Sequence, residues 1–134
     1  MNELKIGQSA SVSRSFSAEE VKVFAGLSLD HNPIHVDKAF AERSMFGQRI
    51  VHGMLVSSLF SGLLGEKLPG PGTIYLSQSS SFKKPVFIDQ EVTAEVEVVG
   101  IREDKPIITL KTTCFSADRE VLVAGEAVVL YKPA

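Results

Sequence analysis

Residues 50–65 read Ile50-Val51-His52-Gly53-Met54-Leu55-Val56-Ser57-Ser58-Leu59-Phe60-Ser61-Gly62-Leu63-Leu64-Gly65. From Met54 to Leu64 the apolar residues Met54, Leu55, Val56, Leu59, Phe60, Leu63 and Leu64 fall on most faces of a helix. A helix with that distribution is expected to be buried on nearly every side. Gly65 is the expected C-cap, and Pro69-Gly70-Pro71-Gly72 is a firm break. His52, Gly53, three serines and Gly62 interrupt the stretch, so it falls short of the roughly 20 apolar residues that span a bilayer. The helix therefore belongs inside a globular domain, and the rest of the chain must wrap it.

After the break, strands take over. Thr73 to Phe82 is one candidate. Val92 to Ile101 alternates Val92, Ala94, Val96 and Val98 against Thr93, Glu95 and Glu97, which is the period of a half-buried strand. Ile107 to Phe115 and Val121 to Tyr131 follow, joined by short polar links that make them antiparallel neighbours. Before the helix, Ala10 to Phe16 alternates as a short strand. Ser17-Ala18-Glu19-Glu20 then has capping-box form and opens a helix carrying Val21, Phe24 and Ala25. That helix should stop before Asn32, because Pro33 disfavours the helical conformation there. Asp37 can cap a short helix from Lys38 to Arg43. The picture is an α+β fold: a curved antiparallel sheet wrapped around a central helix. Such a sheet leaves edge strands that want a partner, so a homodimer with sheets joined edge to edge is expected.

Length and composition narrow the rest. The 134 residues are 44% hydrophobic and 22% charged, which excludes disorder and allows one domain, residues 1–134, with no internal repeat or linker. Fourteen Lys and Arg against 16 Asp and Glu leave a net charge of -2, without the basic field of a nucleic-acid binder. There is no tryptophan, which also argues against a base-stacking platform. The single cysteine, Cys114, permits neither an intrachain disulfide nor a cysteine zinc cluster, fits a cytoplasmic location, and is expected to be an inert core residue. Met1 to Ser11 lacks the apolar run of a secretory signal. No membrane partner is expected.

All three histidines lie between His31 and His52, in a window that also holds Asp30, Asn32 and Asp37. The turn Asp30-His31-Asn32-Pro33-Ile34-His35 sits between two helices. A carboxylate and an imidazole five residues apart, folded back by a proline, can point at one spot, hold a water and move its proton. Asn32 can orient either group or hold the turn through its own backbone. The same residues also read as a capping turn with His35 on the surface, and spacing alone leaves both readings open. His31 is expected to be structural or solvent-facing. Asp30, His35 and His52 could converge on a metal, but no compact ligand motif is present, and no metal is expected.

Asp30, Asn32, Pro33, Ile34 and His35 followed by Ala41, then Ile50-Val51-His52-Gly53-Met54 opening the apolar helix, resemble the (R)-specific enoyl-CoA hydratases of the MaoC-like hot-dog superfamily. Their motif runs Gly-Asp-x-Asn-Pro-aliphatic-His, five residues, then Ala or Ser. Leu29 stands where glycine is frequent. The resemblance covers nearly the whole chain, including Ser81 to Val86 and the closing strands, and its length is that of the short bacterial enzymes that feed polyhydroxyalkanoate synthesis.

That resemblance implies a single hot-dog domain that adds water to a trans-2-enoyl thioester of coenzyme A, giving the (R)-3-hydroxyacyl thioester. Water and proton would add from one face, with Asp30 and His35 as the dyad and Gly53 offering its N–H to the thioester oxyanion. No cofactor is expected, because coenzyme A is part of the substrate. Ser61 and Leu64, three apart on the helix, would wall the acyl channel with Leu64 as its floor. Lys83 and Lys84 are candidates for the coenzyme A phosphates, against the plainer reading of a solvated strand end. His52 reads best as a helix cap or a packed side chain. The alternatives are a 3-hydroxyacyl-ACP dehydratase, a hot-dog thioesterase, and a non-catalytic acyl-thioester-binding subunit. Met54 to Leu64 carries no Asp or Glu, which counts against the thioesterase.

Overall fold

A computed structural model describes residues 3–132, so residues 1–2 and 133–134 of the expected domain lie outside the described part. Five antiparallel strands form one sheet. They are β1 (Ser9–Arg14), β2 (Ile74–Phe82), β3 (Val92–Ile101), β4 (Ile107–Ser116) and β5 (Val121–Leu130), in the order β1-β3-β4-β5-β2. The helices α1 (Ala18–Ser28), α2 (Pro33–Val36), α3 (Lys38–Glu42) and α4 (Gly53–Glu66) all precede β2. The three closing strands pair as consecutive hairpins, as their short links required, and β1 and β2 form the two edges.

The period-2 pattern of β3 sets its register. Val92, Ala94, Val96 and Val98 are each 0% exposed, and they face a core shared with Leu110, Cys114, Val123, Val129, Phe60 and Leu64. Cys114 is buried as expected, and burial pushes its thiol up to about 11, which keeps it protonated and inert. Gly125 in β5 is where β2 crosses most closely. A Cβ there would sit 1.8 Å from the Ser79 carbonyl oxygen, so only glycine allows this pairing.

The first helix carries the capping box its sequence announced: the Glu20 N–H donates to Ser17 Oγ, and Glu20 Oε1 accepts from the Ser17 N–H. It ends at Leu29, whose φ of 64° is left-handed. Two expectations for α4 need correction. The helix runs through Gly65 to Glu66 and is capped by Lys67; the chain leaves it only where Pro69 has no N–H to give. Nor is α4 buried on nearly every side. Val56, Phe60, Leu63 and Leu64 face the core, but Met54 is 67% exposed and Ser58, Ser61 and Gly62 are exposed with it. One five-stranded sheet covers one side of a helix, and among the described residues nothing covers Met54, Ser58, Ser61 and Gly62 on the other.

Candidate active site

The turn between α1 and α2 is held by its own short polar residues. The Asp30 N–H donates to Ser28 Oγ (3.2 Å), the Asn32 N–H to Asp30 Oδ1 (3.2 Å), and the Ile34 N–H to Asn32 Oδ1 (3.1 Å). Asn32 is thus the N-cap of α2, a single helical turn with Pro33 at its start where the sequence predicts only a turn. Of the two roles open to Asn32, its side chain takes the one that holds the turn, by accepting from the Ile34 N–H, and its backbone N–H meets the Asp30 carboxylate. Asp37 caps α3 through the Phe40 N–H, and His31 is exposed, both as expected.

α2 carries His35 inward, where it is 9% exposed. Its Nδ1 lies 2.7 Å from the Ile50 carbonyl oxygen. A carbonyl only accepts, so Nδ1 bears the proton and Nε2 of the neutral ring keeps its lone pair. Burial pulls the His35 pKa below the ordinary imidazole value; the Ile50 hydrogen bond opposes it, the neighbouring His52 adds to it, and Asp30 opposes it. Burial prevails, so His35 is a neutral ring with a basic Nε2 at neutral pH.

His52 joins this group as a packed side chain, one of the two roles expected of it; the sequence brought it together with Asp30 and His35 only as a metal site. It occupies the N-cap position of α4 but makes no capping bond with its side chain. Its Nε2 instead lies 3.0 Å from the Asp30 main-chain oxygen, and its ring stacks on His35 at 3.8 Å and 24°. No local spacing relates positions 35 and 52. The Ile50 N–H bonding to Ile34 O, and the Val51 N–H to Val86 O, bring the segments together.

One ligand atom from each of Asp30, His35 and His52 lies within 4.8 Å of the others. Stacked imidazoles, however, aim their lone pairs along nearly parallel planes, and such planes do not meet at one ion. The cluster is better shaped for a proton-transferring pair. A water making two hydrogen bonds of ordinary length at a tetrahedral angle spans about 4.6 Å between its partners.

Beside the cluster, Gly53 opens α4, whose first N–H groups lack partners in the helix. A Cβ on Gly53 would lie 2.7 and 2.8 Å from ring carbons of Phe82, so in this chain the glycine makes room for that ring. A cavity of about 270 Å³ adjoins it, lined by Val51, Gly53, Phe82, Lys84 and Val86 among others. Lys84 forms an ion pair with Glu120, each half exposed, and Lys83 is exposed at the end of β2. A second groove, about 420 Å³, runs between the open face of α4 and β2, lined by Met54, Ser57, Ser58, Ser61, Tyr75 and Leu76 among others.

Ser61 and Leu64, expected to wall one channel together, have different surroundings. Ser61 is exposed on the groove, whereas Leu64 is 1% exposed within the core. Three residues turn a helix by about 300°, and here the boundary between open and buried faces passes between them. The only acid in α4, Glu66, lies at its far end, about 20 Å from Gly53 at 1.5 Å per residue.

A family model described as the MaoC like domain matches residues 2–118. The (R)-specific enoyl-CoA hydratase of Aeromonas caviae is 60% identical over 126 residues, covering 94% of each chain. That of Rhodospirillum rubrum is 46% identical over 128 residues, covering 96% of this chain and 88% of its own. The solved structure of an (R)-hydratase from A. caviae involved in PHA biosynthesis superposes with a TM-score of 0.95 at 57% identity, covering 98% of this chain and all of that one.

Proposed function

The chain belongs to the MaoC-like domain family, and from that premise we propose that it is an (R)-specific 2-enoyl-CoA hydratase of the hot-dog fold. The observation that carries the reading is the juxtaposition of the exposed Asp30 carboxylate with a neutral, buried His35 whose Nδ1–H is fixed on Ile50 O, next to the N-terminus of α4.

A water held between Asp30 and His35 gives its proton to the dyad while its oxygen bonds to C3 of the trans-2-enoyl thioester. The C2=C3 electrons move toward the thioester carbonyl, whose oxygen takes up negative charge. Gly53 and the first turn of α4 meet that charge with N–H groups and the positive end of the helix dipole. A proton returned by the dyad to C2 on the same face closes the addition and restores the carbonyl. The reaction balances with water alone, so no cofactor is required, and coenzyme A enters only as part of the substrate. The nucleotide end passes Lys83 and Lys84, where Lys84 must loosen its pairing with Glu120 to reach a phosphate. The acyl tail follows α4 from Gly53 past Ser61 along the groove beside β2, and Leu64 stays in the core behind it. Hydration in this sense supplies (R)-3-hydroxyacyl thioesters of the kind polymerised into polyhydroxyalkanoates, in a cytoplasmic setting.

The assembly is a homodimer joined at β2, and residues 1–134 act as one domain. Support comes from the exposure along that edge: Ile74 is 55%, Leu76 48% and Phe82 50% exposed, and the groove beside them continues onto Met54. An edge strand of nine residues, unpaired on its outer side and with apolar side chains exposed at both ends, is a template for a second copy. Sedimentation at micromolar concentration should give a dimer without stable monomer; a monodisperse, active monomer contradicts it.

The activity test is to add crotonyl-CoA to the pure protein and follow enoyl absorbance together with free thiol. The reading requires absorbance to fall with no thiol released. Thiol release would replace it with a thioesterase. Turnover only when the acyl group is on carrier protein would replace it with an ACP dehydratase, and binding without turnover would leave an acyl-thioester-binding subunit.

A further inference from the structure

We propose that His52 is a positioning residue that locks the Asp30–His35 dyad to the N-terminus of α4. This rests on the hydratase reading for its kinetic consequences, but its geometry stands independently.

His52 is 2% exposed, and its Nδ1 is buried without a hydrogen-bond partner. A side chain kept for packing alone would not carry that unpaired nitrogen, because a buried acceptor without a partner costs about 1–3 kcal/mol. A side chain kept for capping would accept from the first turn of α4, as Ser, Thr, Asp or Asn do. His52 does not. What it does is touch both members of the dyad on their non-reacting sides. Its Nε2–H holds the main-chain oxygen of Asp30, leaving the carboxylate free of it. Its ring backs the face of His35, leaving Nε2 of that ring free, while Phe24 of α1 meets the His52 ring edge-on at 4.9 Å.

The dyad needs such a clamp. Asp30 follows a left-handed residue, is exposed, and lies in a loop restrained by hydrogen bonds of 3.1–3.2 Å from backbone N–H groups to its own short side chains. The Ile50 carbonyl fixes the His35 ring at one atom only, and the stacked His52 fixes its plane. Because His52 is bonded directly to Gly53, the same residue also sets the separation between the water-activating pair and the N–H groups that meet the thioester oxygen. Among the described residues, the titratable groups facing His52 are Asp30 from the turn and His35 from α2, and α1 contributes Phe24. A proton on His35 would therefore place its charge against a second imidazole.

Two variants and one measurement on the unsubstituted protein test this. His52→Phe keeps a ring of similar size and removes the N–H; His52→Gln keeps an N–H donor and removes the ring. Displacement of the dyad by a fraction of an ångström should lower kcat by about 10- to 100-fold in His52→Phe, with KM for crotonyl-CoA changed less than about threefold. His52→Gln should recover part of kcat. In both, the acid limb of kcat/KM should move to higher pH, since the imidazole that opposes charge on His35 is gone. A purely structural role would lower the melting temperature without moving that limb. In the unsubstituted protein, long-range 1H–15N spectra at about pH 8, where imidazoles are neutral, should show the proton of His52 on Nε2 and that of His35 on Nδ1. A folded His52→Phe with unchanged kcat and acid limb overturns the proposal, and so does a His52 protonated on Nδ1. If neither variant folds, the tautomers decide. An unsubstituted protein that hydrates no enoyl thioester would remove the proposed function and leave the tautomer test of His52 standing.

Discussion

Replacing each member of the dyad, and then both, gives the sharpest test of how the turn works. Asp30→Asn preserves shape, and its Oδ1 can still accept from the Asn32 N–H. Asp30 is exposed, so stability should change by less than about 0.5 kcal/mol. His35→Gln is costlier. It removes the 2.7 Å bond to the Ile50 carbonyl and the stack on His52, for a loss of about 1–3 kcal/mol. The catalytic effect follows a different rule. Loss of a positioned acid–base group lowers kcat by about 10²–10⁴, or roughly 3–5 kcal/mol of barrier at 1.36 kcal/mol per decade. If the two side chains worked independently, the double variant would lose the product of the two factors, about 10⁴–10⁸. If they hold one water between them, removing either dismantles the unit, and the double variant should be within about tenfold of the worse single one. Steady-state rates with crotonyl-CoA and melting curves on the same samples separate the two effects. A near-normal rate in either single variant, or multiplicative losses in the double, would refute the shared-water dyad.

Other outcomes follow from the same geometry. Because burial holds the His35 pKa below 6.5, the unfolded chain binds a proton between that value and the folded one that the native protein does not; stability should therefore fall as pH drops through that window. Chemical denaturation across acidic pH should show that slope, and His35→Gln should flatten it. Gly53→Ala places a methyl against Phe82, whose half-exposed ring can move, so the melting temperature should change little while kcat/KM falls about 10- to 100-fold. Phe82→Leu in the same chain should not restore activity; rescue would mean that Gly53 serves packing rather than the oxyanion. Leu64→Ala should cost about 2–5 kcal/mol of stability, because it empties a core position away from the groove. The rate on an eight-carbon enoyl-CoA relative to crotonyl-CoA should stay unchanged, and a rise would place Leu64 at the end of the acyl channel.

Local chemistry in the chain was a reliable guide where local chemistry decides structure. The Ser17–Glu20 capping box, the Asp37 cap and the alternation in β3 all appear as read, because each depends on neighbours within a few residues. The Asp30–His35 turn was legible for the same reason. The contacts of His52 were only partly so: it reads as a cap, a packed side chain or a metal ligand, but its partners come from α1, α2 and the turn between them, and no spacing rule says which it meets. The open face of α4 was misread because apolar residues on every side do not say which side the sheet will take. Ser61 and Leu64 fell on opposite sides of that boundary for the same reason.

The most direct measurement of the central claim is the stereochemistry of the product. Crotonyl-CoA incubated with the protein in D2O, with the 3-hydroxybutyryl group released and resolved, reports both the face of attack at C3 and the face of deuterium delivery at C2. One dyad acting from one side of the substrate predicts the (R)-3-hydroxy product alone, with deuterium and hydroxyl on the same face. An (S) or racemic product, or deuterium on the opposite face, would contradict it.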